Sequence, residues 1–153
     1  MLVDMTNKKS LDKIKCLIIC KKRYNRLLIR STMLNAGIKG ESITDIEKCK
    51  DIYYKLTDFD FNVIVIDHDE YFDFSYLNEI KDNPYVKNIP IMIVTSQKTE
   101  DFIRKAIEKG IVGIVLKPIS TQSFKKNLEK ISVIPNRKER KSDKKQEELR
   151  KSA

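Results

Sequence analysis

Asn62-Val63-Ile64-Val65-Ile66-Asp67 decides the fold: four consecutive β-branched apolar residues end on a carboxylate. A strand with no polar alternation has no solvent face, so it belongs in a sheet covered on both sides, and sheets of that kind are parallel. Three more runs share this character: Cys16-Leu17-Ile18-Ile19-Cys20, Ile91-Met92-Ile93-Val94, and Ile111-Val112-Gly113-Ile114-Val115-Leu116. Between them lie segments of helical period, marked by Leu27, Leu28 and Leu34, by Leu77 and Ile80, by Phe102, Ile103, Ala106 and Ile107, and by Phe124, Leu128 and Ile131. A helix from about Ile46 to Leu56, preceded by a weak strand at Ser42-Ile43-Thr44, completes the series. The punctuation agrees. Gly37 and Gly110 follow helices, and Thr99-Glu100-Asp101 opens one with a cap residue and acids suited to its dipole. Alternation of this kind calls for an α/β fold, a doubly wound five-stranded parallel sheet with right-handed crossovers and helices on both faces.

At 153 residues the chain suits one domain with short extensions: an N-terminal extension over 1–12, a folded domain over 13–134, and a charged tail over 135–153, helical or disordered. A composition 41% hydrophobic excludes wholesale disorder, while no apolar run approaches the roughly 18 residues a membrane span needs. Met1 to Lys15 carries charges and no apolar stretch of the secretory type. Cys16, Cys20 and Cys49 show no metal spacing, and His68 is the single histidine, so the expectation is a reduced, cytoplasmic chain without a zinc site. The formal charge is +9, of which eight basic and four acidic side chains put +4 in residues 136–153.

In a doubly wound sheet, chemistry belongs at the carboxyl ends of the strands. There the sequence places Cys20 and Lys21, Asp67, Thr95, and Lys117-Pro118. A carboxylate, an ammonium and a hydroxyl in one pocket can accept a phosphoryl group: Asp67 attacks, Lys117 neutralises the incoming charge and Thr95 hydrogen-bonds a phosphoryl oxygen. The plainer alternative is that Asp67 is a salt-bridged residue at the start of a loop. Cys20 reads as a small buried hydrophobe or as a reactive thiolate, and His68 as a solvated neighbour of Asp67.

Asn62 to Asp67, Pro90-Ile-Met-Ile-Val-Thr95-Ser96 and Gly110-Ile-Val-Gly-Ile-Val-Leu-Lys117-Pro118 together resemble the receiver domain of bacterial two-component response regulators, the CheY-like fold, over about Ile14 to Ile134. The resemblance implies the strand order 2-1-3-4-5, Asp67 at the phosphoacceptor position, Thr95 as switch hydroxyl, Lys117 as phosphate-sensing lysine and a cis peptide before Pro118. It also exposes departures. Receivers end the first strand with two acids that hold Mg²⁺, and here those positions read Cys20-Lys21. Asp67, Lys21 and Lys117 then carry a formal +1, so Mg²⁺ binding is expected to be lost or weak and no cofactor is expected. Lys21 is expected either to pair with Asp67 in the metal's place or to turn outward to solvent. Ile114 stands where the family carries an aromatic switch residue. The loop from His68 to Tyr76 lacks the usual Pro and Gly, and its Tyr71, Phe72, Phe74 and Tyr76 form either a partner patch or packing for the next helix.

The leading expectation is therefore an atypical receiver, not an enzyme, acting in signal transduction as a phosphorylation-independent protein-interaction module. The partner would be a protein or a second copy, through the surface from Thr99 to Ile131, where Arg104, Lys105, Lys109, Lys125, Lys126 and Lys130 suit acidic groups. One alternative is a working phospho-receiver served at Asp67 by a histidine kinase. Another is binding to nucleic acid or a membrane surface through the tail and the Lys21, Lys22, Arg23, Arg26 and Arg30 cluster. Tail acids interleaved with bases, and the lack of aromatics among them, make nucleic acid the weaker choice. No glycine-rich phosphate loop follows the first strand, and no Ser-His-Asp order is present.

Overall fold

A computed structural model describes residues 11–132. Strands β1 (Cys16–Ile19), β2 (Ile43–Ile46), β3 (Val63–Asp67), β4 (Ile91–Thr95) and β5 (Ile111–Leu116) alternate with helices α1 (Arg23–Asn35), α2 (Asp51–Lys55), α3 (Tyr76–Lys81), α4 (Glu100–Glu108) and α5 (Thr121–Ser132). The strands form one sheet in the order β2-β1-β3-β4-β5, and every neighbouring pair is parallel. This is the doubly wound arrangement of CheY-like and flavodoxin-like proteins.

Alternate residues of the central strands point to opposite faces, and each face has its own core. Leu17, Ile19, Ile64, Ile66 and Ile93 pack with Ile52, Leu77, Ile80 and Ala106 under α2, α3 and α4. Cys16, Ile18, Val63, Val65 and Val94 pack with Ile29, Met33, Phe124, Leu128 and Ile131 under α1 and α5. Leu11 and Ile14 belong to the second core. Residues 135–153, the expected tail, lie outside the described residues.

Three local expectations give way to sheet geometry. Ile46 stays in β2, in register with Ile19, and its carbonyl accepts the Cys20 amide at 3.0 Å, so the following helix starts only at Asp51. In α1 the buried face is Ile29, Thr32 and Met33, while Leu27, Leu28 and Leu34 face outward. Burial in β5 alternates, with Val112 and Leu116 exposed, because an edge strand is covered less fully than the centre. The turns follow the sequence: Gly37 and Gly110 take φ of 109° and 93°, and the Thr99 hydroxyl accepts the Phe102 amide at the start of α4.

Candidate functional site

Strand order reverses between β1 and β3: the chain leaves β1 for β2 on one side and returns to β3 on the other. That leaves a crevice at the carboxyl edge. Register then decides what lines it. Ile19 pairs with Ile66, Asp67 with Val94, and Thr95 with Leu116, so Cys20, Asp67, Thr95 and Lys117 emerge as neighbours along one edge. The Lys117 amide donates to the Thr95 carbonyl at 2.9 Å, and the Lys117–Pro118 peptide is cis.

Lys117 holds the centre. Its Nζ lies 3.0 and 3.1 Å from the two oxygens of Asp67 and 3.2 Å from Asp69 Oδ2. Asp67 is 0% exposed. Burial pushes its carboxyl above the usual range, an effect Lys117 only partly offsets and the nearby Glu70 reinforces. For Lys117 burial acts downward but is outweighed by its two carboxylate partners, which raise it.

The turn after β3 supplies two acids that sequence reasoning passed over as ordinary loop residues. His68–Glu70 is a short 3-10 turn, capped by the Asp67 side chain, which accepts the Asp69 amide at 3.1 Å. One side of the turn sends Asp69 toward β4. There its Oδ1 accepts the Thr95 hydroxyl at 2.6 Å and its Oδ2 accepts the Ser96 amide at 2.9 Å, in addition to Lys117. Burial alone would raise the Asp69 carboxyl, but these donors together hold it below its ordinary value. The other side sends Glu70 toward β1, where it accepts the Lys21 amide at 2.7 Å and the Lys22 amide at 2.8 Å. The only sequence signal for this was acidic spacing, Asp67, Asp69 and Glu70 within four residues of a strand end.

The structure corrects the expected charge balance. Lys21 is exposed, makes no ion pair among the described residues, and contributes only its backbone amide, because the β1–α1 turn directs its side chain outward. Asp67 is paired by Lys117 instead. With Asp69 and Glu70 in place, three carboxylates face one ammonium, a formal −2 where the sequence suggested +1.

Other expected residues also find their places. His68 is not solvated: it is buried, its Nδ1 lies 2.7 Å from the Tyr76 hydroxyl, and its ring meets Phe74 and Phe102. Burial lowers its pKa against the opposing pull of Asp69, Asp67 and Asp73. Tyr71, Phe74 and Tyr76 pack together, while Phe72 stands fully in solvent. Ile114 packs against the first core. Arg26 donates to the Cys20 carbonyl at 2.8 Å and lies 3.6 Å from Asp45. Arg30 donates to the Ile43 and Gly40 carbonyls. Two of the three arginines of the expected basic cluster, Arg26 and Arg30, therefore serve the fold.

Cys20 is buried with Sγ 3.6 Å from Glu70 Oε2, 3.9 Å from Asp67 Oδ2 and 3.6 Å from the Lys22 carbonyl. Burial and the two carboxylates push its thiol up to about 12, the opposite of a reactive thiolate. This edge of the pocket is where receiver-like proteins would hold magnesium. Magnesium demands octahedral oxygen ligands. Here a sulfur stands among the donors and both Asp67 oxygens already face Lys117, so the donor set does not fit that ion.

No protein-family profile matches the chain. Chemotaxis protein CheY of Pseudomonas aeruginosa is 33% identical over 55 residues, which cover 36% of this chain and 44% of that protein. The matched stretch thus spans less than half of that relative's length. Among solved structures, CheY4 of Vibrio cholerae superimposes with a TM-score of 0.62 at 18% identity, covering 77% of this chain and 98% of that one. A signal receiver domain of a two-component histidine kinase from Clostridium thermocellum gives 0.62 at 20% identity, over 80% and 99%. A Burkholderia thailandensis protein named for pilus assembly, CpaE, gives 0.65 at 15% identity, over 79% and 99%. These likenesses establish the fold. No helix of the described residues is long and apolar enough to cross a membrane.

Proposed function

We infer that this chain is a receiver-like signalling module that works through protein contacts and does not depend on phosphoryl transfer. The observation that carries the reading is the position of Asp69. A hydroxyl, a backbone amide and an ammonium converge on its carboxylate. Those three donors are the chemistry that would otherwise receive the oxygens of a phosphoryl group on Asp67. A carboxylate from the chain itself already satisfies them, so an incoming phosphoryl group would have to displace it and place a second anion beside it. The short likeness to CheY and the receiver fold support the signalling setting. The exposed Arg104, Lys105 and Lys109 on α4 and the turn after it favour an acidic protein surface as partner.

A working phospho-receiver is the second reading, favoured by the convergence of Asp67, Thr95 and Lys117 and by the formal −2 of the pocket. Acetyl phosphate with Mg²⁺, followed by intact-mass measurement of the full chain, separates the two. The expected result is no phosphoryl adduct, with wild type matching an Asp67→Asn control. A stoichiometric adduct that the control lacks would overturn the proposed reading in favour of the second.

A further inference from the structure

The amino edge of the sheet, at the far end from Asp67, holds a cavity of about 340 Å³ between the segments that enter β4 and β5. Three lysines stand around it: Lys81 from the end of α3, Lys87 from the loop before β4 and Lys109 from the C-cap of α4. No carboxylate lines it, and Asp82 and Glu108, next in the chain to two of the lysines, are not part of its wall. A lysine at a helix end ordinarily serves the last carbonyls. Lys81 does so, donating from Nζ to the Lys109 carbonyl at 3.2 Å, which holds it at the rim with two ammonium protons left over. Lys87 and Lys109 are exposed, and neither side chain has an ion pair or hydrogen bond among the described residues. The strand beneath gives way at the same point. Ile91 pairs with Ile111 but Met92 pairs with Gly113, so Val112 is an extra residue in β5 without a partner on β4, and it is 42% exposed. A bulge of this kind bends its strand and re-aims a side chain, and bulges are over-represented beside active sites. Ile89, Ile91 and Ile111 are buried below, so the floor is apolar and the rim cationic.

We propose that this cavity binds a small organic phosphate, its dianionic group held by Lys81, Lys87 and Lys109 and its uncharged body resting on Pro90 and Val112. Volume selects a small molecule, since about 340 Å³ falls within the roughly 300–1,000 Å³ of small-molecule pockets. Charge selects an anion. Three ammoniums around one space repel one another, and a group of charge −2 relieves that repulsion where no acid of the chain lines the space to do so. Phosphate is favoured over a single carboxylate because it offers three oxygens to three separate lysines, each a compact charge with rotatable donors. The site goes beyond the signalling reading and is independent of it: none of its walls belongs to the pocket around Asp67, which lies at the opposite end of the strands.

Titration of the isotope-labelled full chain with adenosine monophosphate, followed through backbone amide shifts, tests it. The nucleotide should move the amides of Lys87, Ile91, Gly110 and Val112 along one saturating curve with half-saturation below about 1 mM, while adenosine, which lacks the phosphate, leaves them in place. Lys87→Gln/Lys109→Gln removes two of the three charged contacts and should weaken binding at least about tenfold. Lys48→Gln/Lys50→Gln removes the same charge from exposed positions elsewhere and should change binding less than about twofold, because salt screens distant surface charges. A flat titration up to about 10 mM, shifts centred on Ser96 and Lys117, equal shifts with adenosine, or equal weakening by the two double variants would each overturn the assignment.

Discussion

The two sides of the pocket contrast in how their polar groups are satisfied. Toward β4 and β5, each donor has an acceptor: Lys117 bridges Asp67 and Asp69, while the Thr95 hydroxyl and Ser96 amide close on Asp69. Toward β1 the same Asp67 faces the Cys20 thiol and Glu70, and the Lys21 side chain points away. One side closes on Asp69 through a hydroxyl, an amide and an ammonium, and the other closes on Glu70 through two backbone amides and the Cys20 thiol. Both arise from a single three-residue turn, His68–Glu70, whose tight winding sends successive acids to opposite sides of Asp67. Acids missing from the end of β1 are thus replaced from the end of β3, and the pocket keeps a negative balance with different ligands.

The sharpest way to break this contrast is to remove Lys117. Lys117→Met leaves Asp67, 0% exposed, and Asp69 without their shared cation. Because the lysine is itself only partly buried, a loss of about 3 kcal/mol, the low end for breaking a buried pair, is expected in urea unfolding. The double variant Asp67→Asn/Lys117→Met should recover most of it, since no buried charge is then stranded. A single-variant loss under about 1 kcal/mol would mean that the β4–β5 side is not held by its ion pairs.

Thr95→Val comes next. The isosteric change removes the hydroxyl donor to Asp69 and the acceptor of the Gln97 amide while keeping the buried volume. A hydrogen bond to a charged group makes a loss of about 2 kcal/mol the expectation, with the urea m-value unchanged. A loss as large as that of Lys117→Met would show the hydroxyl, rather than the ammonium, to be the main support of Asp69.

The sheet was legible because its strands are short and continuously apolar, and because register follows once parallel pairing is assumed. Asp67, Thr95 and Lys117 were legible for the same reason: each directly follows or ends such a run. Asp69 and Glu70 were not, since a 3-10 turn carries no hydrophobic period to announce which way its side chains point. For Lys21 the sequence left pairing with Asp67 and an outward turn both open; the β1–α1 turn gives its backbone amide, and not its side chain, to the site. His68 was misplaced because nothing local marks it as buried. Its aromatic neighbours Phe74, Tyr76 and Phe102 come from the loop before α3, from α3 and from α4, in that order.

That histidine gives the smallest expected effect and the one that tests whether the turn is tied to the core beneath it. Burial lowers the His68 pKa in the fold, against three acids that pull it up, so the folded protein resists a proton that the unfolded chain accepts near its ordinary value of 6.5. Stability contributed by the neutral ring is therefore fully present above that value and is lost as the pH falls toward the folded pKa. Asp69, held below its ordinary 3.8, has the same sign of dependence, whereas Asp67, raised by burial, has the opposite sign, so the comparison of variants and not the wild-type slope alone isolates His68. Thermal unfolding followed from pH 8 to pH 5 should show a falling midpoint below about 6.5 in wild type. His68→Asn should flatten that decline while lowering the midpoint at pH 8, where the contact with Tyr76 is lost. An equal slope in both proteins would mean that His68 titrates freely, and that the turn carrying Asp69 and Glu70 opens away from the aromatic core at small cost.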